Sequence, residues 1–264
     1  MAQVLNFSKP VKALTPNSLL KTRQFSARPA WLIEMIQKIE PYQEKIWNCP
    51  LVRETSKGVL SLQQMRGWLI QFYPFVETFP QWIALNIAKA PDAFSREILI
   101  DNVRVEKWHA KQWMEMAEAF GLTQAELTEA AILPEVEALT HFMWSINLRG
   151  TLAESISAMT FSIEGTTQGI ARAVLQGFQK YDGREGIHLT KGACAWMNNH
   201  ARYDQIHLTE ALEIITRFTE TEGSRRQVAN GAKRSMEYYL MALDACYQKF
   251  SPVGLSEDIH GFAC

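Results

Sequence analysis

The sequence lacks the features that mark secreted, membrane-spanning or nucleic-acid-binding proteins. Its four cysteines, Cys49, Cys194, Cys246 and Cys264, are scattered and form no CxxC pair. In a chain of 264 residues this favours reduced thiols over a disulfide framework or a zinc finger. No apolar run reaches the length of a membrane span. The net charge of −1 does not indicate the excess of basic residues that nucleic-acid-binding proteins have. We therefore expect a cytoplasmic protein with no membrane span and no nucleic-acid partner.

Several common catalytic motifs are missing as well. The sequence has no glycine-rich phosphate loop, no serine nucleophile elbow and no cysteine pair at zinc-ligand spacing. It also shows no sustained alternation of β-branched and polar residues, so strands are not predicted. Residues 1–30 contain five Lys and Arg and no acid. We interpret them as an N-terminal extension, flexible or covering a partner, rather than as a transit peptide.

What the sequence does contain is a series of amphipathic helices. Apolar residues recur at helical spacing, and glycine and proline are sparse between residues 31 and 250. Three stretches fit the capping box of a helix start; they begin at Ser61, Thr123 and Thr151. The predicted helices are 30–48, 51–58, 61–89, 92–120, 123–131, 134–149, 151–181, 188–219 and 223–250. Pro74 and Pro80 should bend or break the third. The fold class is therefore all-α, with one helical domain over residues 31–250 and a tail over 251–264.

Two stretches carry metal-binding residue types at helical spacing. His200, Asp204 and His207 lie four and three residues apart, which places all three on one face of a helix. Glu106 and His109 are three apart, so both point the same way from one helical turn. Imidazoles and carboxylates in such rows are suited to a divalent first-row metal. Each stretch could therefore supply part of a metal site.

A third stretch centres on Glu164, a lone acid in a long, weakly polar segment. Gly165 beside it lowers helix stability by about 1 kcal/mol relative to alanine. A glycine there makes sense if a facing helix or a bound ligand approaches the backbone closely. One Glu or His on a helix is more often structural than a ligand, but six on three helices suit two metal ions bridged by carboxylate. The six are Glu106, His109, Glu164, His200, Asp204 and His207.

Two further residues are weaker candidates. Glu77 lies in an aromatic stretch bounded by Pro74 and Pro80. It could be an extra metal ligand or line the pocket, although a capping or salt-bridge role is commoner for such an acid. Cys194 lies on the predicted His200 helix but off its ligand face. A buried, inert thiol is a better interpretation than a nucleophile.

The three stretches together resemble a known family. Residues 102–109, 162–167 and 200–207, the last followed by 210–215, are similar to the haem-oxygenase-like di-iron oxidases of the TenA/PqqC superfamily. Within it the sequence looks most like the UndA-type fatty-acid decarboxylases. The resemblance covers about residues 31–250 and implies a seven-helix, haem-oxygenase-like bundle without haem. It implies iron held by Glu106, His109, Glu164 and His200, with Asp204 and His207 completing a second iron site.

The resemblance also implies an activity. In UndA-like chemistry the substrate carboxylate docks on Fe(II), O₂ is activated, hydrogen is removed from the β-carbon, and loss of CO₂ leaves a terminal alkene. The implied protein is an O₂-dependent oxidase of a carboxylate-bearing small molecule, specifically an oxidative decarboxylase of a medium-chain fatty acid. It would use one or two Fe(II) ions per chain, O₂ as co-substrate and an external electron donor. Homodimers are common in this fold, so a dimer is a further expectation.

Two alternatives stay open. One is another di-iron oxidation in the same group, such as para-aminobenzoate synthesis or N-oxygenation. The para-aminobenzoate synthases use a lysine ten residues past the third-helix glutamate, and that position here is Val174. The other is a metal-free TenA/PqqC-like binding or regulatory protein. TenA-type thiaminases need an active-site cysteine beside the acidic cluster, and PqqC-type oxidases need a basic, His-rich pocket; the sequence indicates neither.

Overall fold

The computed structural model describes residues 27–251, and within this range the side chains of residues 203–206 are not described. Over these residues the chain is helical and contains no strand, which confirms the all-α class. Among the described helices, none combines the length and the apolar composition that crossing a membrane requires. The helices are α1 Ala30–Trp47, α2 Pro50–Ser56, α3 Leu62–Lys89, α4 Ala93–Glu106, α5 His109–Ala119, α6 Gln124–Thr128, α7 Pro134–Arg149, α8 Leu152–Ile156, a π-helical segment Ser157–Glu164, α9 Gly165–Phe178, a 3-10 turn Arg184–Gly186, α10 Ala195–Arg217 and α11 Glu222–Lys249.

Helix starts follow the local sequence closely. The capping boxes predicted at Ser61, Thr123 and Thr151 are all present. A fourth box, at Thr221, was not predicted, because its third helical residue is Ser224 rather than Glu or Gln. In each case side-chain oxygens satisfy N–H groups of the first turn, which fixes where the helix begins.

Helix α3 runs unbroken through Pro74 and Pro80, so the predicted break is absent, while a bend at these prolines stays a prediction. A proline inside a helix removes one hydrogen bond and costs roughly 3 kcal/mol. Here the surrounding aromatic side chains, among them Phe75, Phe79 and Trp82, are buried in the core and pack edge to face. Their burial stabilises the helical conformation enough to outweigh the loss.

Three other predicted helices differ in their bounds. The predicted 92–120 helix is two helices, α4 and α5, separated at Lys107 and Trp108. The predicted 151–181 helix contains the π-helical segment, and the predicted 188–219 helix begins only at Ala195. Before Ala195 the chain turns instead, because Thr190 Oγ1 accepts a hydrogen bond from the Ala193 N–H (3.1 Å).

The packing brings the three candidate stretches together. Helix α10 packs against α4, α5, the π-helical segment and α9, while α11 crosses the π-helical segment from another side. Helix α9 also packs closely on α2: a Cβ at Gly177 would overlap the carbonyl oxygen of Thr55, so only glycine fits there. The ends of α4 and α9 and the first half of α10 therefore surround one region of the core.

Candidate metal centre

The first half of the site is a Glu–His pair at a helix junction. Glu106 is the last residue of α4 and His109 the first of α5. The intervening backbone stays near right-handed helical angles, with φ of −57° at Lys107 and −95° at Trp108. The two side chains therefore still meet, and His109 Nδ1 lies 2.6 Å from Glu106 Oε2. The expectation of one continuous helix was wrong, but the expected shared direction of the pair is found.

Helix α10 adds His200 to this pair. One ligand atom from each of Glu106, His109 and His200 lies within 4.8 Å of the others, and all three residues are buried. His200 Nδ1 lies 2.9 Å from the Trp196 carbonyl oxygen. Because a carbonyl only accepts, Nδ1 carries the proton and Nε2 keeps a lone pair. His109 Nε2, the nitrogen opposite its contact with Glu106, has no hydrogen-bond partner among the described residues.

Glu164 and His207 form a second contact beside the first group. Glu164 ends the π-helical segment, and its Oε2 lies 3.4 Å from His207 Nδ1. Glu164 Oε1 accepts no hydrogen bond from the described part of the chain. π-Helical turns inside α-helices often occur at functional sites. The backbone of Asp204 belongs to α10, but its side chain lies outside the described residues.

The protonation states of the group suit a cation. Burial, together with the nearby charge of His109, lowers the pKa of His200 to about 3, so its imidazole is neutral at pH 7. Burial alone would raise the pKa of Glu106, but His109, His200 and His207 bring it below its ordinary value. Burial and the charge of Glu106 raise the pKa of Glu164 to about 7, although His207 opposes the shift. A neutral imidazole and an ionised carboxylate are the forms that bind metals, so His200 and Glu106 fit a divalent metal ion.

A cavity opens beside the group. It offers about 40 Å³ to the centres of water molecules, where one water centre needs about 10–15 Å³. The Trp196 ring lies over the imidazole of His200, with centroids 3.8 Å apart, and meets Trp113 edge to face at 4.7 Å. The cavity is lined by Trp68, Phe72, Phe75, Val76, Phe79, Glu106, His109, Trp113, Ile163, Glu164, Thr167, Ile170, Trp196, His200 and Tyr239.

Trp196, Thr167 and Tyr239 are among the lining residues that were not candidate site residues from the sequence. Trp196 lies four residues before His200, and Thr167 three after Glu164, so helical spacing could have identified both. Tyr239 lies on α11 and had no such signal, because only the packing of α11 brings it to the cavity.

Two of the weaker candidates lie outside the cavity. Glu77 is exposed on α3 and is not among the lining residues. Burial and the charge of Glu77 raise the pKa of neighbouring Tyr73. A role for Glu77 as ligand or pocket residue stays a prediction. Cys194 is buried, and burial and the charge of Asp182 raise the pKa of its thiol, in agreement with an inert cysteine.

The proposed reason for Gly165 needs correction in part. A Cβ built there would lie 3.4 Å from Leu208 Cδ1, an ordinary van der Waals contact. The facing helix α10 therefore does not require a glycine at this position. Val174, at the position where a para-aminobenzoate synthase is expected to have a lysine, is fully buried in the apolar core.

Comparison with known proteins places the chain in a family. Residues 36–249 match the model of the TENA/THI-4/PQQC family. The chain belongs to this family. Its members include a TenA homologue from Pseudomonas syringae pv. tomato, whose structure superposes with a TM-score of 0.78 at 26% identity and covers 92% of this chain and 99% of its own. A domain with a haem-oxygenase-like fold from Shewanella denitrificans superposes with a TM-score of 0.69 at 18% identity, over 88% of this chain and 98% of its own. The haem-oxygenase-like fold is thus confirmed.

Relatives with named activities are more distant. The 4-aminobenzoate synthase of Nitrosomonas europaea is 23% identical over 208 residues, which is 74% of this chain and 82% of the relative. The 4-aminobenzoate synthase of Chlamydia muridarum is 21% identical over 209 residues, 75% of this chain and 86% of the relative. The bifunctional coenzyme PQQ synthesis protein C/D of Methylorubrum extorquens is 24% identical over 78% of this chain and 56% of the relative. These comparisons do not show the UndA-type assignment within the family, which stays a prediction.

Proposed function

We propose that this TenA/PqqC family member is an iron-dependent, O₂-using oxidase of a small carboxylate-bearing molecule. The observation that supports it best is the buried group of Glu106, His109 and His200, with ligand atoms within 4.8 Å of one another. These residues and Glu164 would hold one iron, and His207 and Asp204 a second. Bound Fe(II), reduced again by an external electron donor, would supply electrons for the reduction of O₂.

The chain's own part in this function is to orient donors and to exclude water. Glu106 accepts the hydrogen bond of His109 Nδ1, which directs His109 Nε2 away from Glu106. The Trp196 carbonyl holds His200 in the same manner. The aromatic side chains around them make the cavity wall mostly apolar, and exclusion of water on substrate binding would strengthen the electrostatic interactions inside it. An external electron donor, a cytoplasmic location and a homodimer stay predictions.

A reaction that involves an aromatic acid is better supported than a reaction of a fatty acid. Two relatives are named 4-aminobenzoate synthase, which favours the alternative interpretation of the sequence. Val174 stands where those enzymes are expected to have a lysine, so an aminobenzoate-type reaction here would proceed without that side chain. Fatty-acid decarboxylation is supported by the apolar lining of the cavity, but neither of these two relatives is named for it. We therefore place it second.

Metal loading and product analysis test the proposal. The protein is loaded anaerobically with Fe(II), its iron is counted, and O₂ uptake is followed with a chemical reductant present. Aromatic products are sought by liquid chromatography and alkenes from C8–C16 acids in the headspace. We expect at least about one iron per chain, and its loss in His200→Ala. His188→Ala is the matched control, because the His188 side chain is 83% exposed.

Two results would contradict the proposal. One is less than one iron per chain after loading. The other is a His200→Ala variant with unchanged iron content and ligand binding, which would favour the metal-free binding or regulatory protein. Alkene formation from a fatty acid, without turnover of any aromatic acid, would reverse the order of the two substrate classes.

A further inference from the structure

Two hydroxyl groups line the cavity without being candidate ligands. Apart from Glu106, His109, Glu164 and His200, the lining residues with a polar side-chain atom are Thr167 on α9, Tyr239 on α11 and three tryptophans. Thr167 and Tyr239 are 5% and 6% exposed. Thr167 Oγ1 and the Tyr239 hydroxyl oxygen are 3.2 Å apart. This hydroxyl pair has no part in the metal site proposed above.

The direction of the hydrogen bonds within the pair can be assigned. Thr167 Oγ1 lies 2.8 Å from the Ile163 carbonyl oxygen. A carbonyl only accepts, so the single hydroxyl proton of Thr167 goes to Ile163. The Tyr239 O–H must then donate to Thr167 Oγ1. Burial raises the pKa of Tyr239, so the phenol keeps this proton.

This assignment leaves the Tyr239 oxygen as an acceptor. Among the described residues, only Thr167 hydrogen-bonds to the Tyr239 oxygen, and the phenol donates its single proton in that bond. A phenolic oxygen can accept as well as donate. Its remaining lone pairs are buried at a cavity whose other walls are mostly aromatic. An acceptor in such a place is best satisfied by a donor on a bound molecule.

The position of the hydroxyl pair relative to the candidate metal ligands limits which molecule could bind in the cavity. Thr167 follows Glu164 by three residues on helical backbone, a rise of about 4.5 Å. This step rests on the proposed function, in which the substrate carboxylate lies at the metal end. The opposite end of a flat, ring-sized acid then reaches the hydroxyl pair.

We propose that Tyr239 determines substrate specificity by accepting a hydrogen bond from an N–H or O–H group on the substrate, at the end remote from its carboxylate. The substrate class is therefore a ring-bearing carboxylic acid with an amino or hydroxyl substituent, and not a simple alkyl acid. A substrate without the donor would bind less well, because it leaves a buried acceptor unpaired.

Matched probes test this inference on zinc-loaded protein, since zinc is redox-silent. Binding of benzoate, 4-hydroxybenzoate, 4-aminobenzoate and 4-methoxybenzoate is followed by fluorescence of the cavity tryptophans. The hydroxyl and amino acids should bind about 3- to 10-fold more tightly than benzoate. Methoxybenzoate has the oxygen but no donor, so it should show no such gain.

Variants then separate specificity from structure. Tyr239→Phe should remove the preference for donor-bearing acids and leave benzoate binding within about 2-fold. Tyr238→Phe is the matched control, because Tyr238 is half-buried and stacks on Phe142 with centroids 5.1 Å apart. It should keep the wild-type preference.

The outcomes distinguish the two proposals. Equal binding of all four acids to wild-type protein would overturn the role of Tyr239 and leave the oxidase proposal standing. A preference that survives in Tyr239→Phe would do the same. If the variant does not fold, the comparison of hydroxy- with methoxybenzoate in wild-type protein still decides the matter. A protein that takes up no zinc and binds none of the acids would refute both proposals.

Discussion

Replacing Gly169 by alanine should destabilise this protein, whereas the same change at Gly165 should not. Both glycines lie on α9 near the metal group, and both are partly exposed. A Cβ at Gly169 would overlap Trp47 Nε1, whose N–H donates to the Thr166 carbonyl oxygen at 2.9 Å. At Gly165 the nearest atom to a new Cβ is Leu208 Cδ1 at 3.4 Å. The two positions thus share a helix but not a steric environment.

The magnitudes follow from three opposing effects. Alanine in place of glycine stabilises a helix interior by about 1 kcal/mol. At Gly169 the indole of Trp47 must move, which adds about 1–3 kcal/mol of overpacking and weakens a hydrogen bond that contributes about 1 kcal/mol. We expect Gly169→Ala to lower the free energy of unfolding by about 1–3 kcal/mol. Gly165→Ala should leave it unchanged or raise it by up to about 1 kcal/mol.

Urea unfolding of the metal-free protein measures both changes. The urea concentration at the unfolding midpoint is compared between proteins whose free energy of unfolding falls with urea at the same slope. A Gly169→Ala variant as stable as wild type would refute the steric argument. So would a loss of more than about 1 kcal/mol in Gly165→Ala. A stable Gly165→Ala that no longer binds metal would show that a bound ligand, rather than α10, requires the glycine beside Glu164.

Three further changes have defined outcomes. Glu106→Gln removes the charged acceptor of the His109 N–H and one donor of the metal group, so Zn²⁺ affinity in a chelator competition should fall by at least 10- to 100-fold; unchanged affinity would contradict the site. Burial raises the pKa of Tyr181 to about 12, above an unfolded value of about 10. Its contribution to stability is therefore complete below pH 10 and is lost as the pH rises toward 12, and Tyr181→Phe should flatten that part of the urea-midpoint profile. Cys194 should react slowly with a thiol reagent in the native protein and rapidly in the unfolded protein, and peptide mass spectrometry measures the labelling. Fast labelling in the native protein would support a role as a nucleophile.

Much of the fold was predictable because helix starts are local. Ser61, Thr123 and Thr151 carry the donors and acceptors of their own first turns, so no tertiary information is needed. The break after Glu106 was not predictable, since Lys107 and Trp108 are compatible with a continuing helix. The π-helical segment was equally hidden, because a one-residue widening of a turn has no apolar period of its own.

The candidate site was likewise predictable only in part. Spacing of three and four residues placed Glu106 beside His109 and put His200 and His207 on one helix. The structure contains the first contact, whereas His200 joins that pair and His207 contacts Glu164. Spacing could not show which stretch faces which, because that depends on how α4, α9 and α10 pack. For the same reason the sequence did not assign Tyr239 to the cavity: it lies on α11, which is distant in sequence from the other lining residues and reaches the cavity only through tertiary packing.

The electrostatics of the cavity give the strongest physical reason to expect a cation. Glu106 and Glu164 are both buried there, and the charge of Glu106 helps to raise the pKa of Glu164 to about 7. His200 cannot neutralise them, since burial lowers its pKa to about 3. Two buried carboxylates side by side destabilise a fold unless they are compensated, and here the partners that contact Glu106 and Glu164 are the imidazoles of His109 and His207. A divalent ion would satisfy both carboxylates and the His109 nitrogen that has no partner among the described residues. The arrangement is unfavourable as apolar core and favourable as a metal site.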